Sequence, residues 1–162
     1  MALTAADGFR PLRKLGGGAP PTLEVTKASG TTWSKGDLVV SDTGLAVQGG
    51  DEDAVETVLG VALEDAEDGN TTELICPALP GVVFWGRIAT GDAGATADTA
   101  VAHRYVSGTG AGFEISYNTV PYINVGETTE SIVMIINFID AVGTAWGAVE
   151  FVFTNSSFNS VT

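Results

Sequence analysis

Between Lys35 and Ile88 every apolar run is cut short by a turn. The punctuation is Gly36-Asp37, Thr43-Gly44, Gly49-Gly50, Asp68-Gly69-Asn70 and Pro80-Gly81. Five strand-like runs fit between these turns: Asp37–Val40, Leu45–Gln48, Thr57–Glu64, Thr71–Cys76 and Val82–Ala89. Short runs closed by Gly, Asp, Asn and Pro leave no room for long helices and specify a small antiparallel sandwich or barrel. In Thr57–Glu64, Leu59, Val61 and Leu63 alternate with Val58, Gly60 and Ala62. In Val82–Ala89 both faces carry bulk, which predicts a central strand with one face on a second layer or a neighbouring subunit.

The flanks extend this pattern. Residues 1–22 hold Pro11, Pro20, Pro21 and the run Gly16-Gly17-Gly18, with only Phe9, Leu12 and Leu15 as apolar anchors. That composition predicts an extended or flexible arm, either a disordered terminus or a docking arm that orders on a partner. Leu23–Lys27 alternates as a first strand, and the β-unit is expected to cover residues 23–110, with a further strand at Val101–Val106. Residues 111–154 are expected to add strands, packed on that core or forming a small unit of their own: Gly112–Tyr117, Tyr122–Val125, Ser131–Asp140 and Trp146–Thr154. The β-branched residues of Ser131–Asp140 favour strand over helix there. Residues 155–162 read as a polar tail.

Charge narrows the function. The chain of 162 residues carries 20 acidic and 7 basic residues, a net charge of -13. Such a chain repels nucleic acid and anionic membranes. Three of the seven cations, Arg10, Arg13 and Lys14, lie in the arm, and none follows Arg104. This is a basic arm on an acidic body. Cys76 is the only cysteine, so no intrachain disulfide forms and a reducing site of synthesis is expected. The N-terminal stretch has no apolar signal-like core, and the longest apolar run, Ile132–Ile136, is too short to span a bilayer.

No constellation for chemistry emerges. Residues 51–73 hold nine carboxylates, yet they fail the calcium-loop pattern. With Gly69 as the invariant glycine, Ala66 and Ile75 stand where ligands belong. A solvated acidic rim is the better reading. These acids also lack local aromatics for a glycosidase cleft. His103 is the single histidine, no G-x-S-x-G elbow exists, and one His with one Cys makes no structural zinc site. The triple glycine lacks the Gly-Lys-Ser/Thr of a phosphate loop. No catalytic, cofactor or metal residue is therefore expected, and the chain reads as an interaction protein. Trp33, Trp85, Trp146 and the apolar run 132–139 are either ordinary core or anchors of a subunit interface.

The succession Lys35-Gly36-Asp37-Leu38-Val39-Val40, Gly44-Leu45-Ala46-Val47, Val58-Leu59-Gly60-Val61-Ala62, Leu74-Ile75-Cys76-Pro77 and Pro80-Gly81-Val82-Val83-Phe84 resembles the capsid decoration (cement) proteins of tailed bacteriophages. The group meant has a small β-barrel, the β-tulip, and is related to the head-stabilising protein of lambda-like phages. The resemblance covers about residues 23–90. It implies a β-tulip-like barrel assembled as a homotrimer on the outside of an expanded head, made in the host cytoplasm and carried on the virion exterior. The partners implied are the major capsid protein and other copies of the chain. The arm residues Phe9, Arg10, Arg13 and Lys14 would contact the shell, and Trp33, Phe84, Trp85 and Trp146 are the expected subunit interface. A low-copy head-fibre or tail module is the alternative, followed by a carbohydrate-binding or hydrolytic domain and a calcium-dependent binding module.

Overall fold

A computed structural model describes residues 3–51, 53–54, 57–88, 113–125, 132–141 and 144–158. The expected strand Val101–Val106 and His103 lie outside these. One 3-10 turn, Ala5–Asp7, precedes the strands β1 (Arg10–Lys14), β2 (Leu23–Thr26), β3 (Leu38–Asp42), β4 (Leu45–Gln48), β5 (Val58–Ala62), β6 (Thr72–Pro77), β7 (Val82–Arg87), β8 (Glu114–Asn118), β9 (Val120–Asn124), β10 (Val133–Phe138) and β11 (Ala148–Phe153). They form a five-stranded sheet ordered β2-β6-β5-β3-β4, a four-stranded sheet ordered β1-β7-β11-β10, and the β8-β9 hairpin. Every strand pairing is antiparallel. The protein is mainly β and sandwich-like.

The barrel alternative fails, because the sheets do not close. The five-stranded sheet curls until its edges, β2 and β4, meet at one parallel bridge between Lys27 and Ala46. Ala28 N–H donates to Ala46 O there at 3.0 Å. The turn chemistry works as the sequence predicts. Thr43 (φ 51°) and Gly44 (φ 86°) are both left-handed, the two-residue reversal that matches strand twist in a β3–β4 hairpin.

The five-stranded sheet buries both faces. Leu38, Val40, Val58, Val61 and Cys76 face the large core, together with Phe84, Val133, Ile135, Val149, Phe151 and Phe153 of the other sheet and Ile115 and Ile123 of the hairpin. Val39, Ala46, Ala62 and Ile75 enter a smaller core with Trp33, Ala66, Val25 and Leu59. The expected alternation along β5 is corrected here. Val39 pairs with Gly60 but Val40 pairs with Val58, so one residue of β5 is extra. This bulge puts Val58 and Val61 on the same face and turns Leu59 to the other. Gly60 is required at the bulge, since a Cβ there would collide with the carbonyl oxygen of Cys76.

The flexible arm is a second correction. Arg10–Lys14 is the edge strand of the four-stranded sheet, paired with β7. An edge tolerates Pro11, whose missing N–H would break an interior ladder. Phe9 is 1% exposed and packs against Phe151, the rings tilted by 59° with centroids 4.8 Å apart. Gly86 makes the space: a Cβ there would lie 2.8 Å from the Phe9 ring. The chain is pinned again where Phe9 N–H donates to Gly36 O at 2.9 Å. At the other end, the expected polar tail begins packed. Ser156 is fully buried, its hydroxyl donates to Ala78 O at 2.8 Å, and Ser157 N–H donates to Val58 O at 2.9 Å.

The central placement expected for Val82–Ala89 holds, with β7 lying between β1 and β11. Thus β7, from the expected 23–110 unit, shares a sheet with β10 and β11 from 111–154.

Phe9→Ala should lower unfolding free energy by about 3–5 kcal/mol in denaturant titration. Gly60→Ala should cost about 2–4 kcal/mol, because the Cys76 carbonyl must move out of its ladder position. Burial also pushes the Cys76 thiol up to about 12. It should therefore resist a disulfide reagent in native protein and react promptly in denaturant.

Candidate interaction surface

The outward face of the four-stranded sheet gathers the residues that the sequence marks for partners. Across it Arg10 stands opposite Trp85, Trp85 opposite Glu150, and Glu150 opposite Asn137. The Arg10 guanidinium lies over the Trp85 ring, 3.8 Å from its centroid, and that of Arg87 lies 5.1 Å from it. Cation–π contact of this kind orients both partners at an exposed site. Arg13 reaches diagonally to Glu150 and makes a two-pronged pair at 2.8 and 3.0 Å. Arg87 Nε meets Asp7 Oδ1 at 2.8 Å, and its Nη1 donates to the Trp146 carbonyl at 2.9 Å.

This arrangement changes the electrostatic reading of the arm. The Arg13 charge is spent on Glu150, and Arg10 is laid on Trp85. Lys14 is exposed and makes no ion pair among the described residues. Arg13 holds the Glu150 carboxyl below its ordinary range. The Thr4 N–H, and then Arg87, do the same for Asp7. With the Arg13 side chain 47% exposed, solvent screens that pair and it orients the two side chains more than it stabilises the fold. Beside Lys14 the free edge of β1 presents Leu12, 40% exposed, and the chain continues to Leu15, 60% exposed. A patch of cation, aliphatic and aromatic surface thus lies on an otherwise acidic protein.

The predicted site residues divide sharply. Arg10, Arg13 and Trp85 come together. Phe9 and Phe84 are core, 1% and 0% exposed, and have no surface to give a partner. Trp33 fills the smaller core at 4% exposure, and its indole N–H has no acceptor among the described residues. Trp146 is half-buried in the β10–β11 connection, against Tyr122. Arg87 and Glu150 were not singled out from sequence. The period-2 alternation of β7 does place Arg87 with Trp85, but nothing local links either to residue 150.

The acidic segment is tied into loops. Glu64 accepts Leu74 N–H at 3.0 Å, Asp65 accepts Lys35 N–H at 2.7 Å, and Asn70 donates to Glu73 at 2.7 Å. Asp37, 3% exposed, accepts Ser34 N–H at 2.9 Å and the Gln48 amide at 2.8 Å. Asp53 accepts Gly50 N–H at 2.6 Å, and Asp51 accepts Tyr117 N–H. Tyr117 in turn accepts Leu38 N–H at 2.9 Å, which fastens the hairpin to β3. Burial pushes Asp37, Asp53 and Tyr117 above their ordinary ranges. Among the described residues no group of three or more His, Cys, Asp or Glu is placed to hold a metal. Comparison with family models, curated proteins and solved structures returns no match.

These shifts oppose each other with pH. Asp37 and Asp53, raised in the folded state, contribute stability that is present in acid and is lost as pH climbs through their folded values. Asp7 and Glu150, lowered, contribute stability above the ordinary carboxylate range and lose it as pH falls through their folded values. Melting temperature should therefore be highest within the ordinary carboxylate range and decline on both sides as each set titrates. A maximum at alkaline pH would contradict the assignment.

Proposed function

We propose that this chain is a structural virion protein: a capsid decoration protein that binds the outside of an expanded phage head as a trimer and stabilises the shell without catalysis. The observation that carries the reading is the motif succession of residues 35–84. Each of its turns sits where this fold needs it. Gly36-Asp37 leads into β3, Thr43-Gly44 reverses the chain into β4, Gly60 forms the β5 bulge, and Pro80-Gly81 leads into β7. A further support is the patch around Leu12, Lys14, Leu15 and Trp85, which combines exposed aliphatic and cationic surface with a half-buried aromatic, a mixture of the kind that anchors interfaces. In this reading the patch meets the major capsid protein, and the acidic remainder faces solvent on the virion exterior. Many copies bridging shell subunits stabilise the lattice by mass action.

The test must respect the fold. Deleting residues 1–18 would remove the buried Phe9 and strand β1 and so confound binding with folding. The double variant Leu12→Glu/Leu15→Glu alters only exposed side chains. It should keep the parent melting temperature and lose co-sedimentation with expanded, undecorated heads, which the parent should saturate at hundreds of copies per particle. Saturation by the parent at about a dozen copies would favour a fibre or tail role. Full binding by the variant would remove the patch from the contact.

A further inference from the structure

A sheet edge is where a β protein can take on another strand, because the outer N–H and C=O groups of an edge strand lack partners. Of the four edges of the two larger sheets, three are occupied or blunted. β2 and β4 turn toward each other and meet at the Lys27–Ala46 bridge. β1 has few donors to offer. Pro11 has no N–H, Phe9 N–H donates to Gly36 O at 2.9 Å, and Lys14 N–H donates to Gly18 O at 3.2 Å. Arg10, Arg13 and Lys14 add charge to the same strand. The remaining edge is β10.

On β10 only the first outward position is taken. Val133 N–H donates to Phe113 O at 3.1 Å, and Phe113 N–H donates to Val133 O at 2.9 Å. By the two-residue period of the ladder, Ile135 also turns its N–H and C=O outward. Ile139 N–H donates inward to Ala148 O at 3.0 Å, so beyond the bulge at Ile136 it is Phe138 that faces outward. Among the described residues no hydrogen bond reaches these outward groups of Ile135 and Phe138. The run Ile132–Ile139 holds no charge and no proline. Asn137 is exposed, and Ile139 is 49% exposed. A β-prone strand without charge or proline is the kind that pairs edge to edge.

We propose that β10 pairs antiparallel with β10 of a second copy, joining two four-stranded sheets into one continuous sheet. Charge selects this occupant and this direction. At -13 per chain, two copies repel wherever their carboxylates face, and Met134–Ile139 is a stretch of edge that carries none. A two-fold axis between Ile136 and Asn137 sets each Ile135 against Phe138 of the second copy, so their outward groups satisfy each other. The two Asp140 residues then lie at opposite ends of the contact, about 20 Å apart and beyond the Debye length of about 8 Å. A parallel pairing would bring them side by side. The contact is isologous, and six-residue strands bury little surface, so it is weak. It is independent of head binding, since it needs no capsid.

The experiment is sedimentation equilibrium of the whole chain from about 1 µM to about 1 mM, with amide exchange followed by NMR over the same range. The mass should double across the range, with a dissociation constant of about 0.1 mM. Exchange of the Ile135 and Phe138 amides should slow as concentration rises, while that of the β1 amides should not. Added salt should tighten the association, because it screens the two acidic bodies from each other. Asn137→Lys sets two like charges against each other across the axis, and within each chain it gives Glu150 an opposite charge. That variant should keep the parent melting temperature and lose the doubling. Asn137→Ser, which adds no charge, should keep the doubling. The proposal is overturned by a mass that stays constant to 1 mM, by Ile135 and Phe138 amides that exchange at the same rate throughout, or by doubling that survives Asn137→Lys.

Discussion

The contact on which the rest of this architecture depends is the Phe9 ring lying across Gly86 and against Phe151. It pins residue 9 to the core face of a sheet in which β1 is the edge and whose other strands come from residues 82–87 and 133–153. Without it β1 would have no reason to pair with β7. Its five residues are exposed or half-buried, and the strand buries little apolar surface of its own. The single ring supplies the burial, and the ladder then orders Arg10 and Arg13 over Trp85 and Glu150. The surface of the four-stranded sheet is thus set from beneath.

The second constraint is the bulge at Leu59–Gly60. A regular β5 would send Val58 and Val61 to opposite faces and leave one core short of a side chain. The extra residue resets the parity, so one strand serves two cores that need different patterns. The smaller core then has room for Trp33, and the curl of the sheet toward the Lys27–Ala46 bridge encloses it. Lys27 is itself 4% exposed, and its ammonium is satisfied by the Thr31 carbonyl at 2.6 Å.

Much of the fold was legible because turn residues act locally. Thr43-Gly44 and Pro80-Gly81 need no distant partner to declare themselves, and the strands between them follow. Strand at 133–138 was legible because Ile and Val resist helix and the run is short. What was hidden depends on remote pairing. Arg10–Lys14 carries a proline and no alternation, so only β7, some seventy residues on, makes it a strand. Gly60 looks like a weak point in β5 until the Cys76 carbonyl is placed beside it. The partner surface was half legible: Arg10, Arg13 and Trp85 were marked by charge and size. Phe84 was misassigned because a strand bulky on both faces does not announce which face is core. The left-handed turn at Trp146, with φ 54°, gave no sign at all, since the sequence there contains the wrong residue for it.

The position of β1 also governs how the chain acquires its structure. Its partner β7 ends at residue 87, and the ring that completes the Phe9 site arrives only at residue 151. Contacts this far apart in sequence close late and make all-β domains slow folders, in milliseconds to seconds rather than microseconds. During synthesis at about 5–20 residues per second, residues 9–14 spend several seconds outside the ribosome before their site exists. Through that interval Phe9, Leu12 and Leu15 are uncovered, and the two cationic arginines and Lys14 among them keep the waiting segment in solution.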